Sequence, residues 1–188
     1  MNNLLAEHHG ITDIQLTLIY KAIEKLKEEN DNITYVEIGV LYGGVLRRVL
    51  ERLDKTDLAI GVDLFESLLT YDGIENTHKE DFCYKHELEY VLSKLGYSNY
   101  TLYMGDSSKI VPSLPRIKAG VVVIDGNHTF EGTKIDFENS YNLIDNGYIF
   151  FHDTDWEGPQ RVCNEIVEKT DDMRLFGSTF GASIYKKG

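Results

Sequence analysis

Disulfide scaffolding is the first architecture to be excluded, because the 188 residues contain only two cysteines, Cys83 and Cys163. Two thiols 80 positions apart also make no clustered zinc motif, so each reads as a small buried hydrophobe in a reducing compartment. The opening MNNLLAEHHG lacks the basic and apolar regions of a signal peptide, and no apolar run reaches membrane-spanning length. A cytoplasmic protein without a membrane partner is the expectation. Positive charge is scarce as well: 19 basic residues face 31 acidic ones, a net charge of −12. Such a surface repels phosphates and argues against nucleic acid as the partner, leaving a small-molecule substrate. Repeats, low-complexity tracts and linkers are also missing. A length of 188 residues with 42% hydrophobic content then suits one domain, residues 1–188, with a sizeable core.

What is present alternates between two periods. Ile14, Leu18, Ile19, Ala22, Ile23 and Leu26 recur at helical spacing within residues 13–30. TYVEIGV then reads as a strand, GGVLRRVLERL as a helix, LAIGVDLF as a strand, HELEYVLSKLG as a helix and YTLYMGD as a strand. SKIVPSL is a short connection limited by Pro112 and Pro115. AGVVVIDG, EGTKIDFENSYNLIDNG, GYIFFHD and GPQRVCNEIVEK continue strand, helix, strand, helix. Val- and Ile-rich strands joined through helices predict an α/β fold with a doubly wound, mostly parallel sheet. MRLFGSTFGASIYKK predicts a C-terminal antiparallel hairpin at the sheet edge. Residues 66–82 form a long polar segment after the second strand, read as a functional or mobile loop.

Chemistry-bearing residues collect where strands end. VEIGVLYGG gives Glu37, Gly39 and Gly43 the spacing E-x-G-x-x-x-G at a strand-to-helix turn, where missing side chains let a ligand approach backbone amides. A plain turn is the bland alternative. The loop is not G-x-G-x-x-G, which counts against a nicotinamide dinucleotide. Asp63 ends the second strand 24 positions after Gly39, near where an acid holds ribose hydroxyls in dinucleotide-binding sheets. Asp106 and Ser107 end the third strand and read as either an adenine border or a helix cap. In VVVIDGNHTF, a buried-looking strand runs into Asp125, Gly126, Asn127 and His128. An Asp-Gly turn explains this blandly; a strand end facing a ligand crevice explains it with function.

VEIGVLYGG, GVD, GDS and IDGNHTFEG, in that order, resemble the class I S-adenosylmethionine-dependent methyltransferases with their Rossmann-like fold. IDGNHTFEGTKIDFENSYNLIDNGYIFFHD is similar to the branch holding the macrocin-type sugar O-methyltransferases and cephalosporin-hydroxylase-like proteins. The resemblance covers roughly residues 33–160. It implies S-adenosylmethionine as cofactor, with Glu37, Gly39 and Gly43 lining its methionine and sugar part. Asp63 would hold the ribose, and Asp106 and Ser107 would border the adenine. It also implies a divalent metal at Asp125 and Asp153, with His152 standing where metal-binding relatives tend to carry a carboxylate.

An alcohol nucleophile must align with the sulfonium methyl and lose its proton. Mg²⁺ on the oxygens of Asp125 and Asp153 would acidify it, and neutral His128 would take the proton, so Asp125 and His128 are the candidate catalytic residues. Structural alternatives stand beside these roles: a turn for Asp125, a cap or packing for His128, an αL turn for Asn127. His152 reads as a wall or hydrogen-bonding residue, Asp155 as a substitute third carboxylate, and Trp156 as packing. Tyr71, His78, Tyr84 and His86 in or near the long loop are substrate-contact candidates or solvated surface. The leading expectation is O-methylation of a small hydroxylated substrate, a carbohydrate or glycosylated metabolite. A nicotinamide-dependent oxidoreductase and a nonenzymatic nucleoside-binding protein are the alternatives. So short a chain leaves room for a homo-oligomer that completes the pocket.

Overall fold

The computed structural model describes residues 10–65 and 84–188. The 66–82 loop with Tyr71 and His78, as well as Cys83, lies outside the described residues.

Helix α1 (Asp13–Glu29) starts in a capping box: the Thr12 hydroxyl accepts from the Gln15 amide, and the Gln15 side chain accepts from the Thr12 amide. Its stripe of Leu16, Ile19, Ala22, Ile23 and Leu26 is buried, the 3.6-residue period written out in three dimensions. The remaining order is β1 (Thr34–Ile38), α2 (Gly44–Leu50), β2 (Leu58–Asp63), α3 (Tyr84–Lys94), β3 (Tyr100–Met104), α4 (Ser107–Ile110), β4 (Ile117–Ile124), α5 (Phe130–Leu143), β5 (Ile144–His152), α6 (Glu157–Glu165), β6 (Met173–Thr179) and β7 (Ala182–Lys187). Short 3₁₀ turns at Val111–Ser113 and Val167–Lys169 follow α4 and α6.

The seven strands form one sheet in the order β3-β2-β1-β4-β5-β7-β6. The first five pair in parallel; β7 lies antiparallel between β5 and β6, so the expected C-terminal hairpin closes one edge. Successive residues of β4 face opposite sides. Val121 and Val123 join the core beneath α1, α2 and α3, with Tyr35, Leu46, Leu92 and Phe150. Val122 and Ile124 join the core beneath α5 and α6, with Phe137, Ile149, Phe151 and Val162. Burial on both faces is what the unalternated Val and Ile runs require.

One boundary moves. The helix expected to reach Gly147 ends at Leu143, and Ile144 to Asn146 belong to β5. Tertiary pairing decides this, because Ile144 sits opposite Ile117 at the start of β4 and its carbonyl accepts from Lys187 Nζ at 2.9 Å. No helix among the described residues is long and apolar enough to cross a membrane.

Chain order reverses direction between β1 and β4, and that switch point opens a crevice at the carboxyl ends of the strands. The register keeps those ends level: Ile38 pairs with Val62 and Ile124, Asp63 with Met104, and Ile124 with Phe151. Gly39, Asp63 and Asp125 therefore stand along one rim.

Candidate active site

Gly39 and Gly43 both occupy the left-handed region, at φ 87° and 75°. A methyl group at Gly39 would overlap the Asp125 carbonyl and lie 2.9 Å from the Gly126 amide nitrogen, so this glycine lets the β1 and β4 turns touch. Between the glycines, Leu41 also has positive φ, at 50°, and its amide donates to Asp63 Oδ2 at 2.8 Å. Asp63 Oδ1 accepts from the Phe65 amide at 2.7 Å. Asp63 thus ties the first loop to the second strand end while staying partly exposed. Glu37 departs from the expected rim position. Strand alternation puts it on the same side as Tyr35; it is 2% exposed and accepts the Tyr35 hydroxyl at 2.6 Å. Burial pushes its carboxyl well above the usual range, so it supports the loop from behind.

The β4 and β5 ends bring four candidates together. Ligand atoms of Asp125, His128, His152 and Asp153 all lie within 4.8 Å of one another. His152 Nδ1 is 2.9 Å from Asp125 Oδ1 and 3.4 Å from Asp153 Oδ2. His128 Nε2 is 3.4 Å from Asp125 Oδ1 and 3.1 Å from Asp153 Oδ2, with neither carboxylate aligned for a hydrogen bond to this buried atom. The expectation of His152 as a hydrogen-bonding residue describes its contact with Asp125, and the same contact places it inside the donor cluster. Asp153 holds its backbone at φ 50°, in the left-handed region that few residues other than glycine, asparagine and aspartate enter. Asp125 and then Asp153 lift His128 to about 9. For His152, burial is overcome by the same two carboxylates and the ring is lifted to about 10. Burial opposes ionisation of Asp153, yet His128 and His152 together hold it well below the usual carboxylate range. The carboxylates thus favour the protonated ring at both histidines, in contrast to the neutral His128 expected as proton acceptor. Asp155 is exposed and stands outside the cluster.

Asp106 caps α4, accepting the Ser108 amide at 2.9 Å, the local role weighed from sequence. Ser107 donates its hydroxyl at 2.7 Å to Asp136 Oδ1 on α5, a residue the motifs did not single out. Its signal lay in periodicity: Thr133, Asp136, Phe137 and Ser140 share the buried face of α5, so a carboxylate stands on an apolar stripe. Asp136 is 2% exposed and its Oδ2 has no partner. Burial, against the Ser107 hydrogen bond, pushes it from 3.8 up to about 6. Its folded value lies above its unfolded one, so its stabilising contribution is full at low pH and is lost as pH rises through about 6. Between about pH 4 and pH 8 this should remove on the order of 2–3 kcal/mol. Melting temperatures of Asp136→Asn should fall less over that interval than those of the natural protein; parallel curves would refute the assignment.

Asn127 and Thr129 organise the β4–α5 turn, Asn127 Oδ1 accepting the Thr129 amide and Thr129 Oγ1 accepting the Gly132 amide. Next to it, His128, Thr129, Phe130, Glu131, Trp156, Glu157, Gly158 and Arg161 line a cleft of about 390 Å³. A larger concavity, about 670 Å³, runs between α3 and the outer strand β3, beside Tyr97, Ser98 and Tyr100, and contains none of the converging acids. His86 lies on the exposed side of α3 beside Glu89.

Solved structures with this architecture include CalS11, a TDP-rhamnose 3'-O-methyltransferase of calicheamicin biosynthesis, at 17% identity and TM-score 0.67 over 93% of this chain and 79% of that one. The O-methyltransferase NovP matches at 18% identity and TM-score 0.69, over 92% of this chain and 79% of that one. TomG from Streptomyces achromogenes, an O-methyltransferase of tomaymycin synthesis solved with S-adenosylmethionine, matches at 13% identity and TM-score 0.63, over 95% and 81%. At these identities the similarity is one of fold. No curated protein is similar enough in sequence to match. A methyltransferase-domain family model does match, over residues 36–154 of the 188, more than half of the chain. That span runs from β1 through the β5 end and includes every rim acid and glycine described above, so the nicotinamide-dependent and nonenzymatic alternatives give way. The chain belongs to the methyltransferase-domain family and is a class I S-adenosylmethionine-dependent methyltransferase.

Proposed function

We propose that this protein O-methylates a small hydroxylated, sugar-like substrate, with cofactor and acceptor meeting at the β1/β4 switch point. The observation that carries the reading is the level rim: Gly39, Asp63 and Asp125 finish neighbouring strands in register. Gly39 and Gly43 give the cofactor's methionine and sugar part access to backbone, with Glu37 bracing that loop from the core. Asp63 has lone pairs left for ribose hydroxyls, and Asp106 with Ser107 borders the adenine. The sugar named for CalS11, a TDP-rhamnose 3'-O-methyltransferase, supports the acceptor class.

The donor cluster fits a divalent ion. Two carboxylates and two imidazoles converge, and His128 Nε2 is buried without an aligned hydrogen bond. Asp125 and Asp153 supply the oxygen ligands proposed for Mg²⁺, while the two nitrogens make Mn²⁺ or Zn²⁺ the better match. A bound ion would supply Lewis acidity that lowers the acceptor hydroxyl's pKa. Asp125 and Asp153 fix the imidazole of His128 beside the crevice. With no ion on Nε2, His128 takes the acceptor proton once its ring is neutral; with an ion bound there, the same nitrogen would be a ligand instead. The level strand ends hold acceptor and sulfonium in line, an arrangement that can supply about 7–11 kcal/mol of a barrier.

Calorimetry with S-adenosylhomocysteine tests the cofactor half. Asp63→Ala loses two charge-assisted hydrogen bonds of about 1.5–3 kcal/mol each, so affinity should fall about 10²-fold or more. A natural protein that binds neither S-adenosylmethionine nor S-adenosylhomocysteine would end this reading.

A further inference from the structure

We infer that the acceptor sits in the cleft between the β4–α5 and β5–α6 turns, and that it is a neutral glycoside without phosphate, its sugar ring resting on Trp156. The inference rests on the methyltransferase reading above and adds the place and charge of the acceptor. The cleft's volume, about 390 Å³, falls within the roughly 300–1,000 Å³ of small-molecule sites. The two turns meet backbone to backbone at its base: a methyl at Gly158 would overlap the His128 carbonyl and come within 2.8 Å of the Thr129 carbonyl carbon. The two turns are therefore packed directly on each other, which fixes the spacing of His128 and Trp156.

Trp156 is 42% exposed at the mouth of this cleft, and its ring lies 5.2 Å from that of His128 at 46°. His128 Nε2 faces the Asp125 and Asp153 carboxylates, and the same ring neighbours the indole. A ring held flat on Trp156 thus lies beside the group assigned to receive the acceptor proton. The C–H face of a pyranose is apolar and suits the negative face of an indole. Glu131 and Glu157 at the rim accept hydrogen bonds from hydroxyls.

Charge decides against a phosphorylated acceptor. Arg161 is the cleft's arginine, and carboxylates already neighbour its half-exposed guanidinium: Nε is 3.0 Å from Glu165 Oε1, Nη1 is 3.9 Å from Glu157 Oε1, and the group lies 4.4 Å over the Phe130 ring. The described lining residues include no other lysine or arginine to meet a diphosphate, any charge on His128 is matched by Asp125 and Asp153, and the carboxylates of Glu131 and Glu157 would repel one.

The chain has a single tryptophan, so emission excited beyond the absorption of its twelve tyrosines reports on Trp156. Protein saturated with S-adenosylhomocysteine should be titrated with methyl α-D-glucopyranoside, methyl α-L-rhamnopyranoside and octyl β-D-glucopyranoside below its micelle concentration. A saturable change in emission is expected for at least one. Calorimetry on Trp156→Ala should then show that glycoside's affinity reduced about tenfold or more, with S-adenosylhomocysteine affinity unchanged. Glycoside affinity equal in the natural protein and Trp156→Ala, or no emission change with any glycoside, would overturn the inference. Tighter binding of thymidine diphosphate-glucose than of the glycosides, measured by calorimetry, would overturn the neutral-acceptor part. If S-adenosylhomocysteine does not bind while glycosides still shift the emission, the cofactor reading fails and the cleft assignment stands.

Discussion

Gly39→Ala is expected to destabilise the protein by about 3 kcal/mol or more, whereas Gly96→Ala costs only about 1–2 kcal/mol. The two glycines have nearly the same backbone, φ 87° and φ 86°, so the left-handed penalty is common to both. They differ in what a methyl group meets. At Gly96 there is nothing within 4 Å; at Gly39 there is the backbone of Asp125 and Gly126, which cannot rotate away as a side chain could. The Gly39 amide also donates to the Val62 carbonyl at 2.9 Å, and the Asp125 amide to the Ile38 carbonyl at 2.9 Å, so the clash falls where β1 is held on both sides. Relief requires the β1 and β4 turns to separate. That moves the proposed cofactor loop away from the proposed catalytic cluster, and a displacement near 1 Å can cost about 10²-fold in rate. Urea unfolding of both variants reads the first effect, and S-adenosylhomocysteine calorimetry reads its reach into the site. Equal destabilisation of the two variants would show that the β1–β4 contact is not limiting.

Asp153→Asn should lower the maximal methyl-transfer rate by about 10²–10⁴-fold, the range associated with losing acid–base or electrostatic support. In the natural protein Asp125 and Asp153 hold the His128 proton until about pH 9, so activity without added metal should rise with pH towards that value. Neutralising Asp153 removes one of the two carboxylates, lowers the His128 pKa and moves the rising limb to lower pH while the plateau drops. Divalent metal, which would itself lower the acceptor hydroxyl's pKa, should move the natural protein's rising limb in the same direction. Stability carries the same signature. The folded values of both histidines lie above 6.5, so their contribution is complete below about pH 6.5 and is lost as pH rises through about 9 for His128 and about 10 for His152. Metal-free Asp153→Asn should therefore lose less stability than the natural protein between about pH 7 and pH 10. Superimposable pH–rate and pH–stability curves would remove Asp153 from the cluster's chemistry.

The reading of strands and helices from period and Val/Ile content held wherever an element's own residues carry its preference, as in α1 and β4. It failed at Ile144 to Asn146, where local sequence allowed helix and pairing with β4 imposed strand. Asp63, Asp125 and Asp153 were visible because acids that close apolar strands break a pattern. Glu37 was visible for the same reason, yet its side chain faces inward against Tyr35. Asp136 carried a clear periodic signal, but its consequence depends on Ser107 approaching from another helix. Trp156 read as packing, and its place beside His128 and the cleft follows from the two turns meeting at Gly158.

By itself the sequence determined the alternation of elements, the parallel sheet and the set of strand-ending acids, because burial period and turn chemistry are local properties of the chain. Only the tertiary structure decided that His128 and His152 share two carboxylates, which favour the protonated form of both rings. Those charges depend on distances of a few ångströms between β4 and β5, and no spacing along the chain encodes a distance between strands.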